Sequence, residues 1–506
     1  NGVLRTQAVF DVDSNATTYS IRANATDAYG STVSESFLIR LIQPTVISYE
    51  PSTLDETLSA LANAGVYKVV VNGPVGQDMT LNHSPNIPTG LDVVFKSDRD
   101  LYLKSPITYS GAQKLTLSAD GSIFVQAEVN ASAENASFAV SYGLSEPSES
   151  NSHFFIVAKT VNLHAGVNFF SRKGSDGEEK AYHVINELGP QDSNETNHLS
   201  SIGGSENYAL GTDINAEQCN SWDYFDGSDI WYGSKWKPRD FSGILDGLGH
   251  KIEKLGSNMI FTIGQGGSRK EFGGPGGFLN LKQAKVQNLH LTNMNINGGS
   301  GSAPFPNSLN SSIINSSVSG QVSSSAKIDS NYVYDKSEDK IGGLVGQANN
   351  MDIIYCTTSI RVSAGSYIGG LAAWLTSSRV ESSFSTSIVV GFNEDDDSYS
   401  GFTTSGDYAG GLVANLVDSN ITNSYFSGSV TMPLGDSPDY PGPSPKTLGI
   451  IYAIKDENSS IFGSDLTTEQ LLSQEALVSQ GWDFEKVWHM ADGEYPIFKW
   501  NFENQP

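Results

Sequence analysis

The chain has 506 residues, a formal net charge of -26 and only 17% charged residues. Asp and Glu outnumber Lys and Arg by 56 to 30, a balance that repels nucleic-acid phosphates and argues against a nucleic-acid partner. No apolar run reaches the ~18 residues of a membrane-spanning helix, so direct membrane insertion is not expected.

With 51 glycines and much Ser, Asn and Thr, the composition suits an extracellular β protein. Cys219 and Cys356 lack metal-ligand spacing and read as two buried free thiols. The chain starts at Asn1 without a signal peptide, in what reads as mid-domain sequence. It is therefore expected to be part of a longer secreted or cell-surface polypeptide.

Residues 1–43 alternate as strands. Tyr19, Ile21 and Ala23 share one face, a turn follows at 28–31, and 36–42 forms a second strand. The stretch 9–42, "VFDVDSNATTYSIRANATDAYGSTVSESFLIRLI", resembles the second half of a cadherin-like β-sandwich repeat. That resemblance implies calcium as a cofactor, held by Asp11, Asp13 and Asp27. The following "LIQPTVIS" departs from it by lacking the acidic linker that completes the cage.

Residues 44–65 read as a linker and a capping helix. Leu54, Leu58, Leu61 and Ala62 line one helical face that would cover the open end of a sheet. Short strands then recur about every 20 residues from 66 to 170. The segment "KLTLSADGSIFVQA" within them resembles the early coils of filamentous-haemagglutinin-type secretion domains.

Further along come "NYALGTDINA" and "FSGILDGLGHKIEKL". Tyr208, Leu210, Asp213, Ile214, Phe241, Gly243, Asp246, Gly247, Gly249, His250, Ile252 and Leu255 resemble a conserved block of that same surface-protein type. Gly247 and Gly249 are expected to supply positive φ at a corner, and Asp246 to cap it. His250 reads as a hydrogen bonder in the turn, because no nucleophile stands at a recognisable spacing.

The repeats are the strongest signal. "IGGLVG" at 341–346 returns as "IGGLAA" at 368–373 and "AGGLVA" at 409–414. Gly342 to Gly369 is 27 residues and Gly369 to Gly410 is 41, the difference matching an insertion of 14 at 393–406. Leu344, Leu371 and Leu412 are expected to stack inward, as are Ile354, Val380 and Ile421. These repeats resemble GLUG-repeat proteins. They predict an all-β chain: a right-handed parallel β-helix, or solenoid, over 66–463. A C-terminal cap over 464–506 is expected to seal its last coil with Trp482, Phe484, Trp488, Tyr495, Pro496 and Trp500.

Two clusters are candidate sites. Trp222, Tyr224, Trp231, Tyr232 and Trp236 lie among Asp, Lys and Arg, the pairing of ring faces and polar groups that a sugar needs. The competing reading is an insertion that buries its own aromatics. Asp395, Asp396 and Asp397 are a second candidate calcium site, or a solvated acidic loop. No catalytic residue is assigned. The expectation is a bacterial adhesin or structural module with a host or environmental glycan as partner. A polysaccharide lyase or glycoside hydrolase on the same scaffold, and a non-binding stalk, are the alternatives.

Overall fold

The computed structural model describes residues 44–431 apart from 132, 192, 222–223, 226–229, 233–235, 259, 266–267, 274, 325–339, 365–366 and 392–407, together with 18–26, 32–40, 454–455 and 467–502. The chain is mostly β, with 48% strand against 8% helix. Among the described residues, no helix is long and apolar enough to cross a membrane. Thr18–Thr26 and Thr32–Arg40 form the expected antiparallel hairpin.

The first stack begins earlier than the sequence implies. Thr45–Ser48, read above as linker, is a strand paired in parallel with Lys68–Asn72. Between them the helix Leu54–Asn63 buries Leu54 and Leu58 in the first core. Three parallel ladders then rise together. One carries Lys68–Asn72, Asp92–Ser97, Lys114–Ala119, Ser137–Tyr142 and Gly166–Lys173. A second carries Met79–Leu81, Leu101–Leu103, Ile123–Val125 and Phe155–Val157. The third carries Ile107–Thr108, Val129–Ala131 and Val161–Leu163. Alternation decides which side chains enter: Leu101 and Leu103 are buried while Tyr102 between them points away.

At Gly166–Lys173 the direction changes. This strand pairs antiparallel with Lys180–Ile185, which then pairs in parallel with Tyr208–Leu210. The core changes sides at the same place. Tyr182, Val184 and Ala209 face the first core, whereas Ile185, Tyr208 and Leu210 face a second.

The Gly-Gly-Leu repeats build the second stack in register. Ile341 lies opposite Ile368 and Ile368 opposite Ala409. The Leu344 amide donates to the Leu371 carbonyl at 2.8 Å, and Leu371 donates likewise to Leu412. All three leucines are fully buried. The glycines serve close approach: a Cβ on Gly343 would land on the Gly370 carbonyl oxygen, and one on Gly370 on that of Gly411.

The second expected ladder is displaced by one residue. Ile353, not Ile354, lies opposite Val380, which lies opposite Ile421. A shift of one exchanges the two faces of a strand, so Ile354 points outward. It is nevertheless buried, because the C-terminal segment covers that flank.

Two corners per rung repeat with left-handed backbone. Asn288, Asn315, Tyr355, Ser382 and Asn423 form one column of positive φ, and Gln283, Asn310, Asn350, Ser377 and Asp418 the other. In the upper rungs a serine follows the corner and relays hydrogen bonds. The Ser383 hydroxyl donates to the Glu381 carbonyl at 2.9 Å and accepts from the Cys356 amide at 3.0 Å. Ser378 does the same for Thr376 and Met351. These hydroxyls pair amides that the bend takes out of the ladder, which gives the Ser and Asn richness a structural cause.

Where the stacks meet, side chains substitute for a missing strand. The Val157 amide donates to Asn288 Oδ1 at 3.0 Å, and Asn315 Nδ2 donates to the Val157 carbonyl at 3.1 Å. The open edge of the first stack is thereby satisfied.

The C-terminal segment reaches further than a cap on the last coil would. Thr467 and Gln470 form a reciprocal capping box before two short helices, Thr468–Leu471 and Gln474–Ser479. The aromatics that follow pack on Tyr425 of the third Gly-Gly-Leu rung and continue along the flank. Tyr425 Oη donates to the Pro496 carbonyl at 2.6 Å near the top. Trp500 Nε1 donates to Asn315 Oδ1 at 3.2 Å lower down, and Lys486 pairs with Asp100 of the first stack at 2.7 Å. Phe124, Ile156, Ile314, Ile354 and Tyr425 present an apolar stripe across both stacks, and this strap covers it.

Candidate functional site

The outward positions of the first stack's second ladder create a ladder of their own. Thr80, Tyr102, Phe124 and Ile156 lie opposite one another in successive rungs. Tyr102 and Phe124 stack with centroids 4.9 Å apart and planes 5° apart. The strap covers the upper part of this row, with Trp500 lying 6.2 Å from Phe124. A cleft of about 190 Å³ remains below, floored by Tyr102 and Phe124, walled by Trp500 and rimmed by Lys104, Lys486 and Lys499. Asp78, Glu485, Thr80 and Gln126 complete the rim.

The charges are held in place. Lys486 donates to Asp100 Oδ2, whose Oδ1 accepts from the Ser122 amide at 2.7 Å. That bond and the nearby carboxylates push the Lys486 ammonium above its ordinary range. Lys499 Nζ donates to the Glu485 carbonyl at 2.7 Å, a neutral acceptor. Lys104 Nζ stands 5.9 Å from the Tyr102 ring centre. The cleft thus combines an aromatic face with donors and acceptors, the recognition set of a small polar ring compound.

A second polar cluster is sealed between the stacks. Asp246 is fully buried and accepts from the Leu248 amide at 2.9 Å, as expected of a corner cap, and also from Gln287 and Asn288. Burial pushes its carboxyl up. Lys285 donates to Tyr142 Oη at 3.3 Å, and burial pulls its ammonium down to about 8. His250 bonds Asp213 and the Val161 carbonyl, each at 3.0 Å, in the role expected of it. The corner itself differs from expectation. Positive φ falls at Leu248 and Gly249, while Gly247 is required because a Cβ there would meet the Asn288 carbonyl.

The aromatic cluster predicted from sequence is divided. Trp236 is 2% exposed in the second core, and its indole donates to the Phe278 carbonyl at 2.8 Å. Packing consumes it, so it offers no face to a sugar. Tyr224, Trp231 and Tyr232 lie on the strands Tyr224–Phe225 and Ile230–Tyr232 of a small antiparallel sheet. Tyr224 pairs with Tyr232, Tyr232 with Phe261 and Phe261 with Phe272, placing four aromatic residues in one register row. Trp222 lies outside the described residues, as do Asp11, Asp13, Asp27, Asp395, Asp396 and Asp397. Among the described residues no group of three or more His, Cys, Asp or Glu could hold a metal. Cys219 and Cys356 are buried, and burial pushes the Cys356 thiol up to about 12.

Sequence reasoning missed Tyr102 and Phe124. Their signal was present in "LYL" and "IFV", where an aromatic occupies the outward position between two inward aliphatics.

Comparison with known proteins agrees with the repeats. The GLUG motif pattern matches residues 405–431, which contain the third Gly-Gly-Leu rung. No curated protein and no solved structure matches the chain.

Proposed function

We propose that the chain is a secreted or cell-surface adhesive and structural module of bacterial type that engages glycans. In this reading both stacks are right-handed parallel β-helices of GLUG type. A strand that returns through a coil to pair in parallel beside its predecessor makes a crossover that is almost always right-handed. The turnover at 166–185 inverts strand direction and core side together. Two inversions cancel, so both stacks wind in the same sense. The observation that carries the reading is the register of Leu344, Leu371 and Leu412, since such rungs extend a stiff, repetitive surface rather than enclosing a reaction chamber. The N-terminal hairpin is read as the end of a cadherin-like repeat, with calcium at Asp11, Asp13 and Asp27.

Beads displaying the whole chain test this against panels of immobilised polysaccharides. Retention on at least one, with no reducing-sugar or unsaturated product released, is the expected result. Release of product would replace adhesion with catalysis, and retention on none would leave only a stalk.

A further inference from the structure

The flank cleft gathers lysines that are scarce elsewhere in the chain, beside the carboxylates of Asp78 and Glu485. In a protein of net charge -26, three lysines converge on one space of about 190 Å³. Lys486 is matched by Asp100. Lys499 is not matched in this way: its ammonium rests on the Glu485 carbonyl oxygen, which carries no formal charge. An anionic group entering beside Lys499 would gain a charge-assisted hydrogen bond without displacing a carboxylate. The Tyr102 ring meanwhile offers a flat surface beside it, already stiffened by stacking on Phe124. Asp78 and Glu485, which also line the cleft, supply acceptors for hydroxyl groups. The space is smaller than the ~300–1,000 Å³ of most small-molecule pockets, which restricts the occupant to about one ring.

We propose that this cleft binds a single uronic-acid residue of an acidic polysaccharide, its carboxylate at Lys499 and its ring face on Tyr102. The site is composite. The first stack supplies the floor, and the strap supplies Lys486, Lys499 and the Trp500 wall, so it exists only while the strap is docked. This deepens the adhesive reading and rests on it.

The test uses the full chain and titration calorimetry with oligogalacturonate and, separately, cello-oligosaccharide as the neutral probe. Oligogalacturonate is expected to bind the more tightly, with an advantage that shrinks as salt is added. Lys499→Gln should weaken it about tenfold and abolish the preference over the neutral probe. Tyr102→Ala should weaken both probes, with melting curves showing that each variant remains folded. Equal binding of the two probes by the unmodified chain overturns the uronate assignment. Unchanged binding in both variants overturns the site but leaves the adhesive function standing. A chain that binds no polysaccharide on beads or in solution removes both.

Discussion

The Ser383 hydroxyl forms two hydrogen bonds at one bend, and its counterparts at 378, 419 and 424 repeat the arrangement. Such residues were visible in the sequence only as an abundance of Ser, Asn and Thr, because a relay between rungs has no signature within one rung. The inward leucines were legible, since each follows a glycine pair. Ile353 and Ile354 were not distinguishable, because two adjacent isoleucines satisfy the inward position equally well until register is known. Lys285 was invisible for another reason: its ammonium is bonded to the first stack's Tyr142, 143 residues away. It gives a pH dependence with a definite sign. The folded protein releases the Lys285 proton at about 8, whereas an unfolded chain holds it to ~10.4. Between those values the unfolded state binds the extra proton, so stability rises with pH across that window. Measured by urea unfolding, the native chain should gain on Lys285→Met between about pH 7.5 and 10. A constant difference would mean that the ammonium is solvated.

At the scale of elements, the helix Leu54–Asn63 and the repeated rungs were readable from periodicity, which is local. The aromatic content of the strap was legible, but its reach along the flank to the first stack was not. Nothing near 486 in the sequence identifies Asp100, 386 residues distant, as its partner. The flank cleft was hidden for the same reason, since four of its ten lining residues arrive with the strap. Trp500 fixes the strap's end, being 2% exposed, stacked on Phe498 at 4.9 Å and bonded to Asn315. Trp500→Ala is expected to cost about 3–5 kcal/mol, in the range for removing a buried Trp. Limited proteolysis followed by mass spectrometry should then cut within 467–502 first, while the rungs stay protected. Cleavage beginning inside the rungs would show that the strap does not depend on this side chain.

Across the whole molecule, two stacks share one continuous sheet while facing opposite ways, and one strap lies across both. Repetition in the sequence announced the second stack. The turnover between stacks carried no announcement, because a short antiparallel pairing looks like any other hairpin.

The strap also determines how the protein answers a pull. Tension entering from beyond Trp500 meets a row of rings lying side by side, which can peel one after another like a zip, before it loads any rung. The 36 residues at 467–502 would then pay out slack of order 100 Å at low force. A chain with that property yields under a first tug without unravelling. Single-molecule stretching should record this early lengthening, and a single abrupt rupture would mean that strap and rungs give way together.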